Sequence, residues 1–340
     1  MRQVWITKAG KPEVLEVREA EDPIPGDGQV RIAVKSAGIN FADIMARMGL
    51  YQDAPDIPCV VGYEVAGVVN SVGSEVTGYQ VGDRVIALTR FNGHSSQLCV
   101  NEDQVFPLPE SWSYDEGAAM PVNYLTAYQL LVVMGSIRSG DSVLIHGAGG
   151  GVGTAATQIA TLFDATVYGT ASPHKHNYLR HNGVDYPIDY RNEDFVEVIK
   201  EITNDLGVEI VLDAIGGKHW KRSYNALRST GRLLMFGVSS MAQSKRRSLY
   251  DSLKMFLGIP ILHFHPVKLI NENKGVLGVN IGHLWHEGAM VAEWATQLIM
   301  WANEGKIRPV VDRTFSFENA HQAHHYIQDR KNRGKVCLNP

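Results

Sequence analysis

The chain has 340 residues, 44% of them hydrophobic and 20% charged, with a formal net charge of −4. That balance allows two domains with proper cores, excludes intrinsic disorder, and argues against nucleic-acid binding, which needs a clustered basic surface. Three cysteines, Cys59, Cys99 and Cys337, are too scattered for a disulfide framework or a Cys-x-x-Cys metal knuckle, so a reducing interior is expected. The opening MRQVWITKAG lacks the apolar run of a signal peptide. The run Met255 to Leu262 is too short to span a bilayer and is broken by Gly258 and Pro260, so a cytoplasmic protein is expected.

Residues 1 to about 120 carry short β-branched runs between glycine, proline and aspartate, such as VRIAVKSAGI and VAGVVNSVG, which predicts a β-rich domain. Its one helical patch follows Asn40, with Phe41, Ile44, Met45 and Met48 at helix spacing. From about 125 to 285 the pattern alternates. The runs VLIHG, TVYGTA, DYPIDY, EIVLDAI, RLLMFGV and VLGVNIG are separated by helical or looped stretches, the signature of a six-stranded doubly wound parallel sheet. A helical period over Glu287 to Glu304 comes next, and then two strand-like runs, VVDRTFSF and KVCLNP, flank a second helix around Ala320 to Ile327. These predict a return to the first domain. The expected division is 1–124 with 287–340 for the β-rich domain and 125–286 for the inserted one, with the site in the cleft between them.

The stretch DSVLIHGAGGGVGTAATQIA joins a strand to a helix through Gly147, Ala148, Gly149, Gly150, Gly151, Val152 and Gly153. Such a turn points backbone N–H groups at a helix N-terminus with no side chain in the way of a pyrophosphate, so a dinucleotide is expected there. An NAD-binding unit usually places an acid about 20 residues further on, to bond the ribose 2′-hydroxyl. Here that place reads Thr170, Ala171, Ser172, Pro173, His174, Lys175, without a carboxylate. Lys175 and Ser172 offer an ammonium and a hydroxyl to a 2′-phosphate, Tyr190 can line the adenosine side, and NADPH is expected; Asp189 is the feature that speaks against it. Asp213, Phe236, Gly237, Asn280 and Ile281 fall at or near the carboxyl ends of predicted strands, where such a sheet binds its ligand. Asp213 is either a cofactor contact or the cap of the following loop.

The ordered segments GINFADIMARMGLY, VVGYEVAGVV, YQVGDRV, PVNYLTAY, HGAGGGVG and FENAHQAHHYIQDRKNRGKV resemble the medium-chain dehydrogenase/reductase superfamily. Within it they are most similar to the zinc-free quinone oxidoreductases, close to the branch of the vesicle amine transport protein homologues. The resemblance spans nearly the whole chain and implies a GroES-like catalytic domain, an inserted Rossmann domain and NADPH.

At the places where zinc-dependent members carry ligands, this chain has Asn40, Tyr63, and Val122 or Asn123, none of them an ordinary zinc ligand, and Cys99 stands alone where a four-cysteine lobe would sit. His94, in a polar loop beside Gly93 and Ser95, is expected to be solvated. No metal is expected. Quinones and conjugated enones suit such a site, because hydride addition to them leaves a delocalised oxyanion that needs less help from a Lewis acid.

The resemblance further implies that Asn40 hydrogen-bonds the cofactor amide or the substrate carbonyl. Asp43 is either part of the site or the cap of the short helix. Tyr63 either offers its phenol to an oxyanion or is a partly buried aromatic. Tyr51 lines the substrate, Thr126 and Tyr128 touch the nicotinamide ribose or phosphate, and Lys335 returns to the cofactor. Lys245, Arg246 and Arg247 are too few for polybasic membrane recognition. The strand Val276 to Gly282 is expected at the sheet edge, paired with its twin in a homodimer. Two alternatives remain beside a quinone or enone reductase: a 2-enoyl-thioester reductase, and a nucleotide-binding interaction protein with little turnover.

Overall fold

The computed structural model describes residues 1–242 and 265–340. The basic run Lys245 to Arg247 and the apolar run Met255 to Leu262 lie outside the described residues. Two compact units make up the chain: Met1–Leu125 with Gly282–Pro340, and Thr126–Ile281. Among the described residues no helix is long and apolar enough to cross a membrane.

The first unit is the GroES-like one. The strands Val311–Ser316, Lys335–Asn339, Gln29–Ile39, Glu64–Val72, Arg84–Leu88 and Val105–Pro107 follow one another in a sheet, with Gln97–Asn101 pairing Gln29–Ile39 at its side. Alternation in QVRIAVKSAGI puts Val30, Ile32 and Val34 on one face, where they meet Val65, Val69, Val85 and Leu98 in a buried cluster. The last strand closes the unit by pairing antiparallel with Gln29–Ile39, Val336 opposite Ile39 and Leu338 opposite Ala37. The predicted short helix is Phe41–Arg47, started by Asn40 and Asp43 in a capping box.

The second unit is a Rossmann domain. Its sheet runs Tyr186–Asp189, Thr166–Ala171, Ser142–His146, Val208–Asp213, Leu227–Met235, Gly275–Gly278, and every pair in it is parallel. The central strands are buried on both faces, as a parallel sheet covered by helices requires. The edge strand is shorter than expected from VLGVNIG. Its ladder ends at Gly278 because its only neighbour among the described residues ends at Met235, and Ile281–His283 forms a 3₁₀ turn instead.

Candidate active site

In the second unit the strand Ser142–His146 ends at Gly147, whose φ of +68° turns the chain as glycine readily permits. The helix Gly151–Leu162 begins four residues later with Gly150 as its side-chain-free cap. A Cβ on Gly153 would lie 2.5 Å from Gly147 O and 2.6 Å from the Cα of Ala148, so helix and turn pack as closely as glycine allows. Ala148 is buried, and its methyl group occupies the space that Gly169 leaves open; a Cβ there would come within 2.9 Å of it. The first turn of the helix leaves the N–H groups of Gly151 and Val152 outside the helical ladder, at the positive end of its dipole.

Lys175 lies against this turn. Its side chain is buried, with Cδ 3.0 Å from where a Cβ of Gly149 would stand. Ser172 Oγ is 3.4 Å from the Tyr190 hydroxyl and Ser172 O accepts from Lys175 N at 2.9 Å, so these three residues are neighbours. Asp189 is spent on its own turn, accepting from Arg191 N at 3.0 Å and Asn192 Nδ2 at 2.6 Å.

Phe236 N donates to Asp213 O at 3.1 Å, and Gly237 packs on Ala214, which places both just past the carboxyl ends of their strands. Asn280 and Ile281 follow Gly278 in the same position on the edge strand. Asp213 takes the loop-cap alternative, because its four hydrogen bonds leave nothing for a cofactor. Oδ1 accepts from Ile215 N at 2.7 Å and Gly216 N at 3.1 Å; Oδ2 accepts from Ser223 Oγ at 2.6 Å and His219 Nδ1 at 2.8 Å. Burial alone would raise its pKa, but the His219 and Ser223 hydrogen bonds and the nearby imidazoles hold the carboxyl well below the usual range.

In the first unit a buried polar cluster surrounds Asn40. Asn40 Nδ2 donates to Glu64 Oε1 at 2.8 Å, and Lys335 Nζ donates to Asn40 Oδ1 at 2.6 Å and also to Glu64 Oε1. Val122 N donates to Glu64 Oε2 at 2.7 Å. Gly38 makes the room: a Cβ there would fall 2.6 Å from Glu64 Oε1 and 2.7 Å from Lys335 Cε. The Lys335 side chain is 3% exposed, and its ammonium is engaged by Asn40 and Glu64.

Asp43 is fully buried and acts as a cap, accepting from Asn40 N at 2.7 Å and Gly62 N at 3.0 Å; burial pushes its carboxyl up. His94 differs from expectation. It is buried rather than solvated, 3.9 Å from Asp43 Oδ2, because its backbone is drawn in by hydrogen bonds to Val61 O and from Val4 N.

Tyr63 is buried between Tyr51, edge-on at 6.4 Å between ring centroids, and Phe91 at 5.3 Å. Its hydroxyl makes no well-formed hydrogen bond, and burial raises its pKa far above the ordinary phenol range. Thr126 and Tyr128 lie on the helix Pro121–Tyr128, the first buried and the second half-buried.

Residues 26–133 match the alcohol dehydrogenase GroES-like domain and residues 182–338 the zinc-binding dehydrogenase family. The rat synaptic vesicle membrane protein VAT-1 homolog is 39% identical over 96% of this chain and 80% of its own length. The zebrafish (Danio rerio) protein of that name is 39% identical over 95% of this chain and 66% of its own. This chain is a medium-chain dehydrogenase/reductase of the quinone oxidoreductase family, close to the VAT-1 homologues.

Solved structures agree. The human VAT-1 homolog-like protein superposes with a TM-score of 0.86 at 33% identity, covering 100% of this chain and 98% of that one. The Escherichia coli quinone oxidoreductase complexed with NADPH gives 0.86 at 29% identity, covering 100% of both chains. The CurK enoyl reductase gives 0.85 at 27% identity, covering 99% of this chain and 98% of that one.

Membership in this family makes the chain an oxidoreductase by descent, and it draws attention to residues that sequence reasoning passed over. Glu64 stands alone as an acid in the apolar run VVGYEVAGVV, and His146 follows the apolar run Val143 to Ile145 at the end of its strand. A polar residue in such a setting must find a partner, which is the signal that could have located both. Among the described residues, His146, Asp213 and His219 each bring a potential metal-ligand atom within 4.8 Å of the others. Those atoms are occupied by hydrogen bonds centred on Ser223 Oγ, which lies 3.1 Å from His146 Nε2 and 3.4 Å from His219 Nδ1.

Proposed function

We propose that this medium-chain dehydrogenase/reductase is a zinc-independent, NADPH-dependent reductase of quinones or conjugated enones, working in the cytoplasm as a homodimer. One observation carries the cofactor choice: the buried Lys175 stem lies on Gly149 with Ser172 and Tyr190 nearby, while Asp189, the one carboxylate that would favour NADH, is spent inside its own turn. The glycines fit a dinucleotide, since Gly149, Gly150 and Gly151 put no side chain over the helix N-terminus. When bound, NADPH supplies a hydride.

The chain's own residues orient the acceptor. Asn40 is held by Glu64 and Lys335 so that its oxygen and one N–H are fixed, leaving the second Nδ2 hydrogen for a carbonyl. Tyr63 stays a neutral phenol across the working pH range and can donate to an oxyanion. By the family resemblance Asn40, Tyr63, and Val122 or Asn123 stand where zinc-dependent members carry ligands, so a conjugated acceptor whose oxyanion is delocalised is the substrate class that fits.

The test is NADPH fluorescence on titration with the purified chain, followed by NADPH oxidation across a panel of quinones and enones. Binding with turnover of at least one conjugated acceptor is expected. Neither binding nor oxidation would remove the proposal. A 2-enoyl-thioester reductase is the second reading, favoured by the likeness to the CurK enoyl reductase; faster turnover of enoyl thioesters than of quinones would select it.

A further inference from the structure

In the second unit a chain of buried hydrogen bonds runs beneath the dinucleotide turn, and proton counting gives each link a direction. Asp213 Oδ2 accepts from Ser223 Oγ at 2.6 Å, which uses the only proton the serine has. Ser223 Oγ is also 3.1 Å from His146 Nε2, so that nitrogen must be the donor. A neutral imidazole then has an acceptor at Nδ1, which lies 3.1 Å from Thr170 Oγ1, so the threonine donates its proton there. Thr170 Oγ1 in turn accepts from Gly147 N at 3.3 Å, the first amide of the glycine turn. At the far end Asp213 Oδ1 holds Ile215 N and Gly216 N.

His146, Thr170, Ser223 and Asp213 are all buried, with relative exposures of 1%, 3%, 0% and 0%, so water cannot substitute freely for any link. Burial, the largest influence on His146, lowers its pKa to about 3 and keeps the imidazole in the neutral state that the directions require. Packing fixes the ring as well. Phe195 stands edge-on at 4.6 Å and His219 at 4.3 Å between centroids.

We infer that His146 is a positioning residue that ties the glycine turn to the loop after the strand Val208–Asp213, so that loosening either end loosens both. The inference rests on the dinucleotide reading only for its consequence: a continuous relay presents the turn to the cofactor in one conformation. His146 touches no reacting atom. It acts through Thr170 on one side and Ser223 on the other.

Two cuts test it. Ser223→Ala breaks the relay on the Asp213 side, and Thr170→Val breaks it on the glycine side. Amide hydrogen exchange is followed in peptides spanning 144–152 and 212–220, and the NADPH dissociation constant is measured by fluorescence. Ser223→Ala is expected to speed exchange in 144–152, and Thr170→Val in 212–220, each by about fivefold or more. The double variant should cost no more NADPH affinity than the worse single, because a relay cut once is already cut. His146→Gln retains a donor toward Ser223 but loses the acceptor for Thr170, and should match Thr170→Val.

Exchange changes confined to the mutated end, with additive affinity losses, would overturn the inference and leave these residues as separate packing contacts. Exchange is read without cofactor. If the wild-type chain binds no NADPH, the proposed function falls while the exchange result still decides the relay.

Discussion

Lys335 donates to Asn40 Oδ1 at 2.6 Å, joining the last strand of the chain to the cap of its first helix across 295 positions of sequence. The same ammonium meets Glu64, with both side chains almost wholly buried. Removing one member of such a pair leaves an uncompensated charge, whereas removing both leaves none. Lys335→Met is therefore expected to cost about 3–5 kcal/mol by urea unfolding. The double variant Glu64→Gln/Lys335→Met should unfold at higher urea than Lys335→Met alone. Equal midpoints would mean that the pair is not coupled.

Lys175 is expected to set cofactor preference rather than cofactor binding as such. Lys175→Met removes the ammonium and keeps much of the stem that lies on Gly149. A charge-assisted contact to a 2′-phosphate is worth roughly 1.5–3 kcal/mol, so NADPH affinity should fall about 10-fold to 100-fold while NADH affinity changes little. Equal losses for the two cofactors would show that Lys175 supports the turn and does not read the phosphate.

The sheet edge predicts the oligomeric state. Gly275–Gly278 pairs on one side with Leu227–Met235 and has no further strand beside it among the described residues. A 37.5 kDa chain that pairs this strand with its twin should sediment at twice that mass. Gly278→Lys has room, since a Cβ there meets nothing within 4 Å, and it places a charge on the edge. A shift to monomer is expected. A wild-type monomer, or a dimer indifferent to Gly278→Lys, would rule this edge out as the interface.

Much of this architecture is legible in the chain because it is written locally. Most of the parallel strands announce themselves as apolar runs ended by glycine or aspartate, and the glycine turn as a strand-to-helix junction. The Asn40 cluster is not local. Its members Asn40, Glu64 and Lys335 come together only when the final strand pairs with Gln29–Ile39, so nothing in the spacing of the lysine distinguishes a core ammonium from a cofactor contact. His94 misleads in the same way, since its neighbours in sequence are polar while its neighbours in space are Asp43 and the backbone of Gly38. For Asp43 and Asp213 the sequence leaves cap and site both open, and their carboxylates take up the hydrogen bonds of a cap.

Buried histidine predicts acid sensitivity. His146 has its pKa lowered from 6.5 to about 3 by burial, and His324, also buried, is lowered well below 6.5. Between these values the unfolded chain binds protons that the folded chain does not. Stability is therefore full above about pH 6.5 and falls as pH decreases toward the folded values, by about 1.4 kcal/mol per pH unit for each such histidine. Urea midpoints measured from pH 7.5 to 5 should decline, and His146→Gln should flatten the decline by one histidine's share. An unchanged slope would mean that His146 is protonated in the folded protein.

Tyr63 offers opposite signs for stability and turnover. Its buried hydroxyl makes no well-formed hydrogen bond, a state that costs folding free energy, and its ring packs between Tyr51 and Phe91. Tyr63→Phe keeps the ring and removes the hydroxyl, so the variant should be as stable as the wild type or about 1 kcal/mol more stable. If the phenol donates to the oxyanion that forms on a quinone or enone, kcat should drop about 100-fold, the usual cost of losing one such donor, with NADPH affinity unaffected. A phenol raised so far by burial stays protonated, so the wild-type rate should show no loss on the alkaline side from this group up to pH 9. Unchanged kcat together with a gain in stability would return Tyr63 to the aromatic core and leave Asn40 as the only side chain proposed to orient the acceptor.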